Sequence, residues 1–169
     1  MTITTSRSMR TQHRYLYVMS RTDDVINVAG NRLSTGAMEE ILASHPDVAE
    51  CAVFGVADAI NGQIPRGLVV LRSDVPADEV SQARLCAELV QLVRDQIGAV
   101  TGIRQVDIVA ALPRTRSGKI LRMTMSSIAD GRDVVVPPTI ADASVLEELR
   151  PVLRLEPELA SISSGRPAR

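Results

Sequence analysis

Lysine occurs once in this chain, at position 119, and the other 18 of its 19 Lys and Arg residues are arginine. It closes the run Leu112-Pro113-Arg114-Thr115-Arg116-Ser117-Gly118-Lys119. Arginine is a planar, permanently charged fork. Lysine is a compact ammonium on a flexible stem, a point charge toward phosphate or carboxylate. A lone lysine in a glycine-containing loop marks either chemistry that arginine cannot replace or a chance survivor, and the residue by itself leaves the two readings even. The loop adds two arginines, two hydroxyls and a glycine. That set suits transient capture of a phosphate or carboxylate, and equally a mobile basic surface loop. It is not a Walker A loop, because the opening glycine is missing and Ile120 stands where Ser or Thr is required.

Two further polar clusters interrupt the apolar segments. Ser20-Arg21-Thr22-Asp23-Asp24 separates two strand candidates and reads as a hairpin turn with solvated acids. Gly30-Asn31-Arg32 reads as a turn before a helix N-terminus, where glycine allows close backbone approach and the helix start favours an anion. No catalytic triad is visible. His13 lies in the lead-in, and His45 stands before Pro46 at a helix end, where capping is the natural role. Cys51 and Cys86 sit in apolar segments without metal-ligand spacing and read as reduced core thiols. No Cys/His/Asp constellation reads as a metal site.

The elements that must position these clusters follow from periodicity. Tyr15–Met19 and Val25–Val28 are strand candidates. Ser34 is placed to cap a helix reaching Ser44, with Met38, Ile41 and Leu42 apolar, and His45-Pro46 ends it. Val48–Val56 reads as a strand, 58–63 as a loop, and Gly67–Leu71 as a buried strand. Asp78 opens a helix to Ile97 that Gly98 stops. Val106–Val109 is a strand, 113–118 a loop, and Ile120–Asp130 a helix with Leu121, Met125 and Ile128 on one face. Val134–Pro138 is an extended linker, and 143–153 a last helix using Val145, Leu146, Leu149 and Val152. The expected fold is α+β: a small mixed β-sheet with an N-terminal hairpin, about three packed helices, and a C-terminal extension helix. The expected organisation is a disordered lead-in (1–14), a domain (15–132), a linker and extension helix (133–154), and a disordered tail (155–169).

Composition narrows the function. The chain has 169 residues, a net charge of −1, 45% hydrophobic residues and only 2% aromatics. Arginines scatter along it without a basic stripe, so a nucleic-acid-binding surface is not expected. No apolar run approaches the ~20 residues of a membrane span. The lead-in lacks an apolar core, so it is not a secretory signal; its Arg- and Ser/Thr-rich, acid-free composition suits a transit peptide weakly. The expected location is the cytoplasm, with the mitochondrial matrix as the alternative.

Taken together, the clusters carry a resemblance. Tyr15-Leu-Tyr-Val-Met-Ser-Arg-Thr-Asp-Asp-Val-Ile-Asn-Val-Ala-Gly-Asn-Arg-Leu33, followed by Pro113-Arg-Thr-Arg-Ser-Gly-Lys119, resembles the C-terminal domain of adenylate-forming acyl-CoA synthetases. Thr139-Ile140-Ala141-Asp142 before an apolar helix is similar to the acetyl- and propionyl-CoA synthetase branch. The resemblance covers about residues 15–153.

It implies an enzyme that makes an acyl-adenylate from carboxylate and ATP, and after a swing of the small domain lets CoA attack to give thioester and AMP. By this resemblance Lys119 is the catalytic lysine of adenylation, and Asp23 is the hinge. Arg21 and Arg32 serve the nucleotide side. Gly30 lines the pantetheine tunnel, and Arg94 contacts the CoA nucleotide. ATP and CoA are expected as substrates of the complete enzyme, with Mg2+ arriving on ATP and not bound by this chain. The expected partner is an N-terminal adenylation domain, which carries the phosphate loop and acyl pocket absent from the quoted motifs. The branch usually has His where Asn31 stands. The alternative reading is a non-catalytic interaction or regulatory module, or a remnant of a truncated ligase gene, with Lys119 as an acylation site or contact residue.

Overall fold

The computed structural model describes residues 24–75 and 78–154. Tyr15–Met19, Arg21 and Asp23 lie outside the described residues, as do most of the lead-in and tail assignments. Ten elements follow in order: β1 (Val25–Val28), β2 (Asn31–Ser34), α1 (Thr35–Ala43), β3 (Val48–Asp58), β4 (Gly62–Leu71), α2 (Glu79–Ile97), a 3-10 turn (Ala99–Thr101), β5 (Gln105–Ile108), α3 (Arg122–Ala129) and α4 (Ser144–Arg154).

The sheet is mixed. β3 and β4 form a long antiparallel hairpin, from Val48↔Leu71 to Asp58↔Gly62. β5 lies parallel to β4, Arg66↔Gln105 to Val69↔Ile108. β1 meets β4 only at Val28↔Gly62 and pairs fully with β2. Period-two alternation along β3 and β4 feeds two cores, because successive strand side chains point to opposite faces. Val53 and Val69 enter one core with Met38 and Leu42 of α1 and Leu85, Leu89 and Val93 of α2. Ala52, Phe54 and Leu68 enter the other with Met125 and Ile128 of α3 and Leu146, Leu149 and Leu153 of α4. The result is three layers: α1 and α2, the sheet, then α3 and α4.

The helix boundaries follow their caps. Ser34 Oγ accepts from Ala37 N–H at 3.3 Å, and the Asp78 carboxylate accepts from Ser81 N–H at 2.9 Å. Gly98, at φ 108°, ends α2 and donates its N–H to the Arg94 carbonyl. These ends match the sequence expectation, as do α1, α2 and α4.

Three local expectations change. Arg32 is not in a turn: a two-residue turn at Ala29 (φ 48°) and Gly30 (φ 86°) closes a β1–β2 hairpin, and Asn31 and Arg32 belong to β2. Positive φ at both central residues matches the twist of a tight hairpin. The supposed loop at 58–63 is a hairpin turn, with Asp58 Oδ1 accepting from the N–H groups of Ile60 and Asn61 and from Asn61 Nδ2. Residues 120 and 121 are not helical, because Ile120 bridges back to Arg114 and α3 starts at Arg122. The helix at 144–154 is part of the second core. Its last carbonyls, at Val152 and Leu153, accept from the buried Arg66 guanidinium at 2.8 Å each. Arg66 Nε in turn donates to Asp107 on β5 at 2.8 Å.

Candidate functional site

Lys119 sits on a small three-sided mount. Thr115 N–H donates to the Lys119 carbonyl and Gly118 N–H to the Thr115 carbonyl, both at 2.8 Å, closing a β-turn in which Gly118 takes φ 82°. Thr115 Oγ1 accepts the Lys119 N–H at 3.0 Å and lies 2.9 Å from Ser117 Oγ. The segment 139–141 lies along the outer side: Arg116 N–H donates to the Thr139 carbonyl at 2.9 Å, and Ala141 N–H to the Arg114 carbonyl at 2.8 Å. The basic surface loop of the sequence reading is therefore hydrogen-bonded on both flanks. No hydrogen bond or ion pair among the described residues engages the Lys119 ammonium, and the side chain is only half-buried. The flanking arginines are already occupied or elsewhere: Arg114 pairs with Glu50 at 2.6 Å, and Arg116 is exposed.

Behind the mount stands an ion-pair node that the sequence reading missed. Arg122, three residues after the lysine, forks onto Glu39 of α1, with Nη2 2.9 Å from Oε1 and 2.8 Å from Oε2, and Nε 3.1 Å from Oε1. Its Nη1 lies 3.5 Å from Asp24 Oδ1. Glu39 Oε1 also accepts the Val53 N–H at 2.7 Å, satisfying an edge donor of β3. The only signal in the sequence was Glu39 itself, a carboxylate flanking the apolar positions Met38 and Leu42. A cleft of about 220 Å³ opens beside the node, lined by Val25, Ile26, Phe54, Arg122 and Ser126 among others.

The glycine turn lies at the other end of the sheet. Ala29 N–H donates to the Asn61 carbonyl at 2.8 Å, tying the β1–β2 turn to the β3–β4 turn. A Cβ built at Gly30 meets nothing within 4 Å, so packing does not require glycine there; the positive φ does. The lysine mount is anchored at Glu50, and the glycine turn stands beside the Asp58 end of β3. Glu50 and Asp58 are eight residues apart on β3, a span of roughly 25 Å in an extended strand. Lys119 and Gly30 are thus not brought together.

The remaining site expectations fall as follows. Arg32 is exposed on β2, near the glycine turn. Arg94 is half-buried in the last turn of α2, where its Nε donates to the Ile103 carbonyl at 3.0 Å, a structural tie. His45 Nδ1 accepts from Asp47 N–H, and Nε2 lies 3.5 Å from Glu88 on α2, so the ring fastens the end of α1 to α2. Cys51 and Cys86 are free and half-buried. Burial, with the Glu39 charge nearby, pushes the Cys51 thiol up to about 11. Among the described residues no group of His, Cys, Asp and Glu is arranged to hold a metal, and no helix is long and apolar enough to cross a membrane.

Comparison with known proteins gives these features a setting. Residues 37–119 match the model of the AMP-binding enzyme C-terminal domain, a span that ends on Lys119 and includes Arg94. The chain is 49% identical over 140 residues to the mouse mitochondrial acyl-CoA synthetase short-chain family member 3, covering 83% of this chain and 20% of the relative. It is 41% identical over 143 residues to the propionate–CoA ligase of Salmonella typhimurium, covering 84% of this chain and 23% of that enzyme. A crystal structure of a Brucella canis acyl-CoA synthetase superposes with a TM-score of 0.54 at 38% identity, over 62% of this chain and 18% of that one. The chain spans about a fifth of the length of the relatives it matches. It belongs to the family of AMP-binding enzyme C-terminal domains, in the branch of the short-chain acyl-CoA synthetases.

Proposed function

We propose that this chain acts as the C-terminal lid of an ATP-dependent short-chain acyl-CoA synthetase, with propionate or acetate as the acid. The observation that carries the reading is the separation of an ammonium without a partner among the described residues, on a braced loop, from a bare glycine turn at the opposite end of the sheet. An adenylation domain, on another chain or elsewhere in a longer protein, supplies the ATP and acyl sites. In the first half-reaction the carboxylate attacks the α-phosphorus of ATP, the bond to pyrophosphate breaks, and an acyl-adenylate forms. Lys119 enters that site and bridges carboxylate and phosphate oxygens, where a fixed positive charge stabilises the developing anion. Mg2+ would arrive bound to ATP and supply charge neutralisation for its phosphates, held by the adenylation domain and not by residues of this chain.

The lid then rotates about Asp23, withdrawing Lys119 and presenting the Gly30 turn. The CoA thiol, losing its proton, attacks the acyl carbonyl, and AMP leaves. Backbone without a side chain at Gly30 lets the pantetheine arm pass close to the turn. Arg21 and Arg32 serve the nucleotide in this reading. Arg94 serves CoA through the guanidinium nitrogens left over from its bond to Ile103. The lid comprises residues 15–132, with 133–154 as linker and extension helix.

Mixing the chain with an N-terminal adenylation domain and following acid-dependent AMP formation tests the reading. Activity above that of the N-terminal domain alone is the expected result. None above it, with a folded lid and saturating ATP, CoA and propionate, would sink it.

A further inference from the structure

We propose that Arg122 is a positioning residue of the lysine arm: its guanidinium, forked onto Glu39 and reaching Asp24, fixes where the loop delivers Lys119. The inference rests on the adenylation role proposed above for Lys119. Arg122 is the first residue of α3, whose Met125 and Ile128 are fully buried in the second core. It is therefore the first fixed point of the chain after the lysine mount. Its side chain is 16% exposed and that of Glu39 17%, so both charges have lost much of their water.

Such a pair adds little net stability over an apolar contact of similar volume, because the desolvation cost offsets the attraction. What it adds is geometry: two parallel N–H···O bonds permit one orientation of the fork. Glu39 is itself fixed by the Val53 N–H, so the node joins the lysine arm to α1 and to the edge of β3 in one step. The two arms are unequal. The Glu39 contacts are 2.8 to 3.1 Å, and the Asp24 contact is 3.5 Å. The weaker arm falls on Asp24, the residue next to the proposed hinge Asp23.

The single lysine makes the test direct. Reductive methylation with 13C-formaldehyde labels Lys119 as the only dimethyl-lysine, apart from the α-amine, so its NMR line reports the mount. In Arg122→Gln and in Glu39→Gln the line should narrow and move toward the position of free dimethyl-lysine, with cooperative melting retained. In the reconstituted enzyme, adenylate formation should fall roughly 10- to 100-fold, the loss expected from misplacing a catalytic group by about 1 Å. Thioester formation from supplied acyl-adenylate should be unchanged. An unaltered lysine line in the folded variants, or equal loss of both half-reactions, would overturn the proposal. Should Arg122→Gln fail to fold, Glu39→Gln decides alone. Full adenylation by a Lys119→Ala enzyme would instead overturn the function proposed above, and the NMR line would then judge the hold of Arg122 on the loop by itself.

Discussion

The lysine mount and the glycine turn are both short polar turns containing a glycine of positive φ, and they are built in opposite ways. At Gly118 the turn is flanked by the 139–141 segment, a hydroxyl pair, the Arg114–Glu50 ion pair and the Arg122 node. At Gly30 the turn is held, among the described residues, by the Ala29–Asn61 backbone bond and the Val28–Gly62 bridge beside it. At neither glycine would a Cβ meet an atom within 4 Å. The difference teaches what each end can offer. A side chain that must arrive at a reacting group needs a rigid base, since small displacements are costly in rate. A stretch of backbone that a ligand passes needs only the absence of a side chain and a turn that keeps its shape.

Substitutions at the two ends should therefore separate the two half-reactions. The largest effect is expected for Lys119→Ala in a reconstituted enzyme: adenylate formation falls by about 100- to 1,000-fold, the scale of removing one electrostatic stabiliser. Thioester formation from supplied acyl-adenylate stays intact, and quench-flow of each half-reaction measures the split. Equal losses would erase the distinction between the ends.

Gly30→Leu should do the reverse, slowing thioester formation while sparing the adenylate. The positive φ adds a strain of roughly 1–2 kcal/mol to any non-glycine residue there. Gly30→Ala carries that strain with almost no bulk, so it should lose stability but keep most of the thioester step. If Ala slows that step as much as Leu, strain and not blockage is responsible.

Arg66→Leu tests whether the mount depends on its distant support. Removing the buried Arg66 guanidinium leaves the Asp107 carboxylate, among the described residues, with the Gln105 amide at 2.6 Å and frees the end of α4. The cost should be about 3 kcal/mol, as for breaking a buried pair. Amide exchange should quicken at Arg116 and Ala141, beside the lysine, more than at Ala29. Equal quickening at all three would mean that the ends share one support.

The smallest effect lies away from both ends. The Ser81 backbone N–H, then its side chain, holds the Asp78 carboxyl below its ordinary 3.8. As pH falls, the unfolded chain takes up this proton before the folded chain does. The cap's stabilisation is thus full above the ordinary value and lost as pH drops through the lowered one. Asp78→Ala should lower the melting temperature slightly at neutral pH, and the difference should vanish in acid below the carboxylate range. Neither half-reaction should change.

Much of this was legible in the residues. Ser34, Asp78 and Gly98 marked helix ends because capping is a local bond between near neighbours in the chain. Met125, Ile128, Leu146 and Leu149 marked buried faces because helical spacing sets a side chain's direction. Lys119 was conspicuous by composition, and its pairing with the Gly30 segment pointed to the family. Misplaced features were those whose partners are remote or whose geometry is marginal. Arg32 was put in a turn because nothing local announces that Ala29 will accept φ 48°, an uncommon conformation for a residue with a Cβ. Ile120 was put in a helix by its apolar pattern, whereas its backbone is taken by a bridge to Arg114.

By itself the sequence determined the inventory and the local order: one lysine, a glycine turn, the apolar β-branched runs that became β1, β3, β4 and β5, and the helix caps. Only the tertiary structure decided that Arg122 reaches Glu39 across 83 residues, that Arg66 closes α4 across 86 and 87, and that lysine and glycine occupy opposite ends of the sheet. Caps and periodicity are interactions among neighbours along the chain. Forks between remote charges require the sheet to be assembled first, and many arginines and carboxylates compete for each such pairing until the fold selects one.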